Sequence, residues 1–162
     1  MNDFLSPVVL VTEEVIGLEC YINTDVEYFY RKNANLSISQ SVAKAEDSPR
    51  ADMGFTRYLG QMSVSSEAFN DDEGAIKEFE IKITVRGKID IFEEVLSTEQ
   101  RNNIDYLAEF NLISLLYSYA RVKIEGLTEN TPYKKLILPT INVSAMLSNQ
   151  EDAEATKDNT EE

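Results

Sequence analysis

Histidine and tryptophan are absent, and cysteine occurs once, in a chain of 162 residues. Without histidine there is no imidazole base and no histidine-bound metal. One cysteine builds neither a zinc site nor an internal disulfide, which agrees with a reducing compartment. No glycine-rich phosphate loop occurs. Glu13-Glu14 and Glu93-Glu94 are neighbours in sequence, so on strands they point to opposite faces and make no acid–base dyad. No enzyme, cofactor or metal is therefore expected. No apolar run approaches the ~20 residues of a membrane span. The N-terminus, Met1-Asn2-Asp3-Phe4, has neither the basic nor the apolar stretch of a signal peptide. The expected location is cytoplasmic, with no direct insertion into a membrane.

Basic residues are also scarce: 15 Lys and Arg stand against 29 Asp and Glu, for a net charge of −14. Nucleic acid is a poor partner for such a chain, because its phosphates require basic side chains to release counterions. The same charge argues against anionic membrane surfaces. A basic partner, or plain solubility, fits. Residues 151–162 hold six acids, one lysine and no large apolar side chain, and are expected to form a disordered acidic tail. Residues 1–150 then make one domain.

What is present is alternation. From Glu78 to Phe92, the residues Phe79, Ile81, Ile83, Val85, Ile89 and Ile91 share one face, and charged or hydroxyl side chains take the other. That pattern predicts a half-buried strand of an antiparallel sheet, with Gly87 at an inward position suited to a bend or bulge. Three more strands are predicted. Val8–Ile22 has an irregularity near Glu13, with Ile16, Leu18, Cys20 and Ile22 inward. Residues 34–43 present Leu36, Ile38 and Val42. Residues 57–68 present Tyr58, Met62 and Val64. Cys20 reads as a small core residue rather than a nucleophile. The connection 23–33 is unusual for its aromatics: Tyr21 leads into it, and it holds Tyr28, Phe29 and Tyr30. Such a loop either packs on the body or offers an adhesive surface. The acidic turn 70–74 lacks the alternating carboxylates of a calcium loop.

Ser97, with Gln100 three residues on, predicts a capping box and a helix running to about Leu127, ended at Gly126. Its middle shows almost no polar face, which implies burial all round. Either a second layer within the chain or an oligomer interface supplies the cover. Leu112, Leu115, Leu116, Tyr119 and Val122 are the candidate interface. After a loop come the extended Leu136-Ile137-Leu138-Pro139 and a brief helix capped by Asn142, carrying Val143, Met146 and Leu147. The fold class is α+β: a four-stranded antiparallel sheet with a long helix and a short C-terminal helix on one face.

The stretch Phe110-Asn111-Leu112-Ile113-Ser114-Leu115-Leu116-Tyr117-Ser118-Tyr119-Ala120-Arg121 resembles the helix signature of the SecB export chaperones, Asn-Ile-Leu-Phe-Pro-Tyr-Ala-Arg. Leu138-Pro139-Thr140-Ile141-Asn142-Val143 is similar to that family's later Leu-Pro-Pro-x-Asn-Phe, and Leu18-Glu19 to the Phe-Glu of its first strand. The order of elements agrees over Val8 to Leu147. Ser118, Tyr21 and Val143 depart from the pattern, so the resemblance is to a divergent, SecB-like member. It implies a homotetramer built as a dimer of dimers, and an ATP-independent holdase that keeps unfolded precursor polypeptides competent for export. It implies hand-over to the SecA motor through acidic surface on the sheet and the C-terminal end. Some SecB-like proteins instead protect the antitoxin of a toxin–antitoxin pair, and an adaptor for one folded partner is a further alternative. The implied client groove takes in Tyr21, Ile22, Tyr28, Phe29, Tyr30, Ile137, Leu138, Met146 and Leu147. The competing reading of the loop aromatics is that they tuck onto the sheet edge.

Overall fold

A computed structural model describes residues 7–23, 35–70, 76–131 and 136–148. Four strands, β1 (Val8–Ile22), β2 (Asn35–Lys44), β3 (Phe55–Asn70) and β4 (Ile76–Phe92), form one antiparallel sheet in the order β1-β4-β3-β2. The strand with the cleanest alternation, β4, lies inside the sheet, and its predicted inward set is buried completely or nearly so. Tyr58, Met62, Val64 and Ala68 continue that face on β3.

The predicted single helix is two. Ser97 and Gln100 form the capping box of α1 (Thr98–Asn102), and the chain then kinks at Asn103 before α2 (Ile104–Thr128). Gly126 lies within α2 rather than at its end. Ala108, Leu112, Leu116, Ala120, Ile124 and Thr128 recur every fourth residue and are buried, joined by Ile113 and Tyr117. This stripe faces the sheet over β3 and β4. Burying each large side chain in it contributes roughly 1.5–3 kcal/mol.

Two glycines set how close α2 comes. Gly60 and Gly87 stand opposite each other on β3 and β4. A Cβ at Gly60 would lie 2.6 Å from Leu112 Cδ2, and one at Gly87 would lie 2.9 Å from Leu116 Cδ2. The helix therefore rests on bare backbone. No bulge forms at Gly87, since the β3–β4 register runs unbroken past it. Close approach is what this glycine provides.

After α2 the chain returns across the helix. Thr128 Oγ1 donates to Ile124 O at 2.8 Å and accepts from Leu136 N at 2.7 Å. The Tyr117 hydroxyl donates to Pro139 O at 2.6 Å. A short helix α3, residues 143–148, is capped by Asn142, whose side-chain oxygen accepts from Ala145 N. Leu136, Leu138, Val143 and Leu147 drop into the core. The crossover aromatics Tyr28, Phe29 and Tyr30, and the tail 151–162, lie outside the described residues.

Candidate functional site

A helix is about 10–12 Å across with its side chains, and four strands at about 4.8 Å spacing are wider than that. One helix centred on β3 and β4 therefore leaves the flanking strands short of cover. On β2 the inward residues Leu36, Ile38 and Val42 are half-buried. On β1 the shortfall is much larger.

The register of β1 on β4 shifts twice, between Leu10 and Thr12 and between Val15 and Gly17. Each shift inserts one extra residue, Val11 and then Ile16, and reverses which side chains face the helix layer. Pairing assigns Val8, Leu10, Glu13, Val15, Leu18, Cys20 and Ile22 to the helix side, opposite Ile91, Ile89, Gly87, Val85, Ile83, Ile81 and Phe79. The β4 partners are buried, yet Leu10, Val15, Leu18 and Cys20 are exposed. Leu18 is 46% exposed directly across from Ile83 at 0%. The result is an apolar strip along an edge strand, on the same side of the sheet as α2.

Several sequence expectations change against this geometry. Cys20 does face the helix side, but it is exposed rather than a core residue, because nothing among the described residues covers it. Ile16 is a bulged residue, not part of an inward row. Tyr21 pairs with Glu80 on the helix-free face, whereas Ile22 pairs with Phe79 on the helix side, so the two do not line one surface. Leu138 and Leu147 are buried core residues, while Ile137 is 59% exposed and Met146 half-buried. Leu112 and Leu116 are sealed against Gly60 and Gly87 and are not available to a second subunit. Val122, at 64% exposed, points away from the sheet, and Leu115 and Tyr119 are half-buried.

Nor is α2 apolar all round. Its outer side carries Asn111, Ser114 and Ser118. Asn111 Nδ2 donates to Leu107 O and Ser114 Oγ to Phe110 O, both at 2.7 Å. These polar groups are satisfied within their own helix, and the helix reads as apolar only because they are short. The strip on β1 was visible in the sequence as a run of aliphatics. Its exposure was not, because exposure depends on where α2 lies.

The helix-free face of the sheet is a ladder of ion pairs and hydroxyls. Arg57 forks onto Asp90 through Nε to Oδ1 at 2.7 Å and Nη2 to Oδ2 at 2.9 Å. That bond holds the guanidinium above its ordinary range. Arg86 donates to Glu14 at 2.7 Å, Lys82 stands 3.9 Å from Glu19, and Lys77 reaches Glu80 at 2.5 Å and Glu67 at 3.8 Å. Between them lie Ser37, Ser39, Ser41, Ser63 and Ser65, with the Ser63 and Thr84 hydroxyls 2.8 Å apart. Each of Glu14, Glu19, Glu67, Glu80 and Asp90 thus has a cation within salt-bridge reach. The net acidity of the chain does not reside on this face.

No family model matches the chain. An uncharacterized protein of Methanocaldococcus jannaschii is 32% identical over 81 residues, which are 50% of this chain and 48% of that protein, so the chain spans about half the length of the curated relative it matches. Among solved structures, the SecB-like chaperone Rv1957 of Mycobacterium tuberculosis, in complex with a peptide from the antitoxin HigA1, aligns with a TM-score of 0.48 at 12% identity, covering 83% of this chain and 90% of that one. A protein of unknown function from Streptococcus agalactiae aligns with a TM-score of 0.43 at 13% identity, covering 82% and 97%.

Proposed function

We propose that the protein is a SecB-like, ATP-independent chaperone that holds an extended apolar segment of a dedicated client, such as an antitoxin, on the helix side of β1. The observation that carries this is the uncovered row Leu10, Val15, Leu18 and Cys20 beside the buried helix-side row of β4. An unfolded segment laid along the row removes apolar surface from water at ~25 cal/mol per Å², with no need of nucleotide. Binding of this kind resists salt. The dedicated reading is favoured over hand-over to SecA because the acids on the sheet's outer face are already paired with cations. Assembly into a homotetramer, if it uses α2, uses the outer side with Val122 rather than Leu112 and Leu116.

The test is a triple change, Leu10→Ser, Val15→Ser and Leu18→Ser. These side chains are exposed, so the variant is expected to fold with little change in its melting transition. It should lose suppression of aggregation when a urea-unfolded client is diluted from denaturant. Equal protection by a folded variant would remove β1 as the site. A photo-crosslinker at Leu18 in the native cytoplasm separates the client classes. One predominant polypeptide supports the dedicated reading, and many unrelated precursors support general export.

A further inference from the structure

Among the described residues the arginines are engaged, with one exception. Arg57 forks onto Asp90, Arg86 holds Glu14, Arg101 donates to the Glu93 and Glu94 carbonyls, and Arg50 lies over the Phe55 ring. Arg121, half-buried on α2, has no carboxylate, carbonyl or ring partner among the described residues. Glu125, one turn further on, has an interaction of its own. A basic residue four positions before an acid is also the weaker order for a helix pair. In a chain with 29 acids, an arginine that none of the described ones neutralises points to an anion from elsewhere.

Arg121 stands in a pocket of about 150 Å³ on the outer side of α2, between that helix and the returning chain at Thr140, Ile141 and Val143. Hydroxyls share its wall. Four small polar side chains of α2 and α3 bond back to the carbonyl four residues earlier: Asn111 to Leu107, Ser114 to Phe110, Thr128 to Ile124 and Ser148 to Ser144. Ser118, on the pocket wall, makes no such bond among the described residues, and the Thr140 hydroxyl beside it also donates to nothing there. Both O–H groups remain open to a guest. The Tyr117 hydroxyl is already spent on Pro139 O at 2.6 Å. Burial raises the Tyr117 phenol while the Arg121 charge acts in the opposite direction, which puts the guanidinium near the pocket's inner wall.

One guanidinium and two open hydroxyls, with no acid on the wall, suit an anion of single charge. A phosphate dianion calls for a second cation, and the net charge of −14 disfavours it. A carboxylate meets the guanidinium fork with two parallel hydrogen bonds, and Ile141 and Val143 offer apolar contact to its carbon stem. A single, partly exposed ion pair holds a free anion only weakly, so the carboxylate is one carried on a polypeptide. We propose that Arg121, with the Ser118 and Thr140 hydroxyls, binds an Asp, Glu or chain-terminal carboxylate of a polypeptide. Two sources share this chemistry: a partner chain, and the six acids in residues 151–162 of this one. The site is separate from the strip on β1 and does not depend on chaperone activity.

The probes are N-acetylglutamate α-amide, its neutral glutamine counterpart and inorganic phosphate, each titrated at fixed ionic strength into the full, isotope-labelled chain. In nuclear magnetic resonance spectra the glutamate probe should move the Arg121 Nε–Hε signal and the amides of residues 118 and 140–143, and the shifts should saturate. The glutamine probe should leave them in place. Arg121→Lys keeps the charge but loses the fork, and should weaken binding by about two- to fivefold, as should Ser118→Ala. Arg121→Gln should abolish it. Equal shifts with the glutamine probe overturn the proposal, and so does an undiminished response in folded Arg121→Gln. Tighter binding of phosphate than of the glutamate probe overturns the choice of carboxylate. A full-length variant with the six acids of residues 151–162 changed to their amides separates the sources. If that change alone moves the Arg121 Nε–Hε signal opposite to the probe's shift, these acids are the ligand. If the signal stays in place and the probe still binds, the ligand is a partner chain.

Discussion

Ile83 on β4 and Leu18 on β1 are paired across one strand boundary, and both point to the side where α2 lies. Solvent reaches neither atom of consequence on Ile83 and nearly half of Leu18. Both residues are aliphatic and both sit in regular extended backbone. Their difference comes from the width of a single helix and from the glycine pair that centres it on β3 and β4. In this fold, burial is decided by the cover, and a strand pattern reports only that a face is apolar. A face left apolar and uncovered costs stability unless something else covers it, which is why the strip on β1 reads as a place for a partner.

The sharpest way to break the comparison is to place the same charge in both regions. Leu116→Glu buries a carboxylate against Gly87 and should cost about 4 kcal/mol or more, unfolding the chain rather than dissociating an assembly. Leu18→Glu exposes its charge and should shift the melting transition by little, about 0.5 kcal/mol or less, while removing client protection. Similar melting curves for the two variants would falsify the division into covered and open halves. A smaller effect tests the close approach itself. Gly60→Ala sets a methyl group 2.6 Å from Leu112 Cδ2, and a loss of about 1–3 kcal/mol in a urea titration is expected from the overpacking. Gly17→Ala on β1 meets nothing closer than 3.5 Å and should be far milder.

Next in size is Tyr117→Phe. It removes the hydroxyl that holds Pro139 and should cost about 1 kcal/mol, with faster hydrogen exchange confined to residues 136–148. The smallest expected effect is on alkaline stability. The Tyr58 phenol is held above its ordinary range, chiefly by burial and then by the bond it donates to Asp105. Tyrosine in the unfolded chain ionises near ~10. Because the folded value is raised, the contribution of Tyr58 is complete below about pH 10 and declines as pH rises beyond it. Urea midpoints measured from about pH 9 to pH 11.5 should fall less steeply in Tyr58→Phe than in the parent chain.

The covered half was legible in the sequence and the open half was not. Phe79 to Ile91 announced a strand by alternation, and Ser97 with Gln100 announced a helix start by a local hydrogen-bond pattern. Both are set by neighbours in the chain. The strand of residues 8–22 has the bounds its pattern predicts, but its facing differs from simple alternation. Two single-residue insertions each reverse the phase, and a run of Val, Leu and Ile hides them. The face that α2 buries is hidden from the sequence for a similar reason. Leu112 and Leu116 announce burial but not against what, and only Gly60 and Gly87, distant in sequence, determine that they meet the sheet. Asn103 ended the first helical turn without a proline or glycine to mark it.

The pairing of β1 with β4 also has a consequence during synthesis. Glu14 and its partner Arg86 are 72 residues apart, and every rung of that ladder spans a comparable stretch of chain. At about 5–20 residues per second, β1 leaves the ribosome roughly 4–14 s before its partner strand exists. For that interval its aliphatic row is exposed on both edges as well as on its face. The adjoining β2–β3 and β3–β4 hairpins close locally and need no such wait. The strand proposed to hold unfolded segments of another protein is thus itself the strand that waits longest for its neighbour.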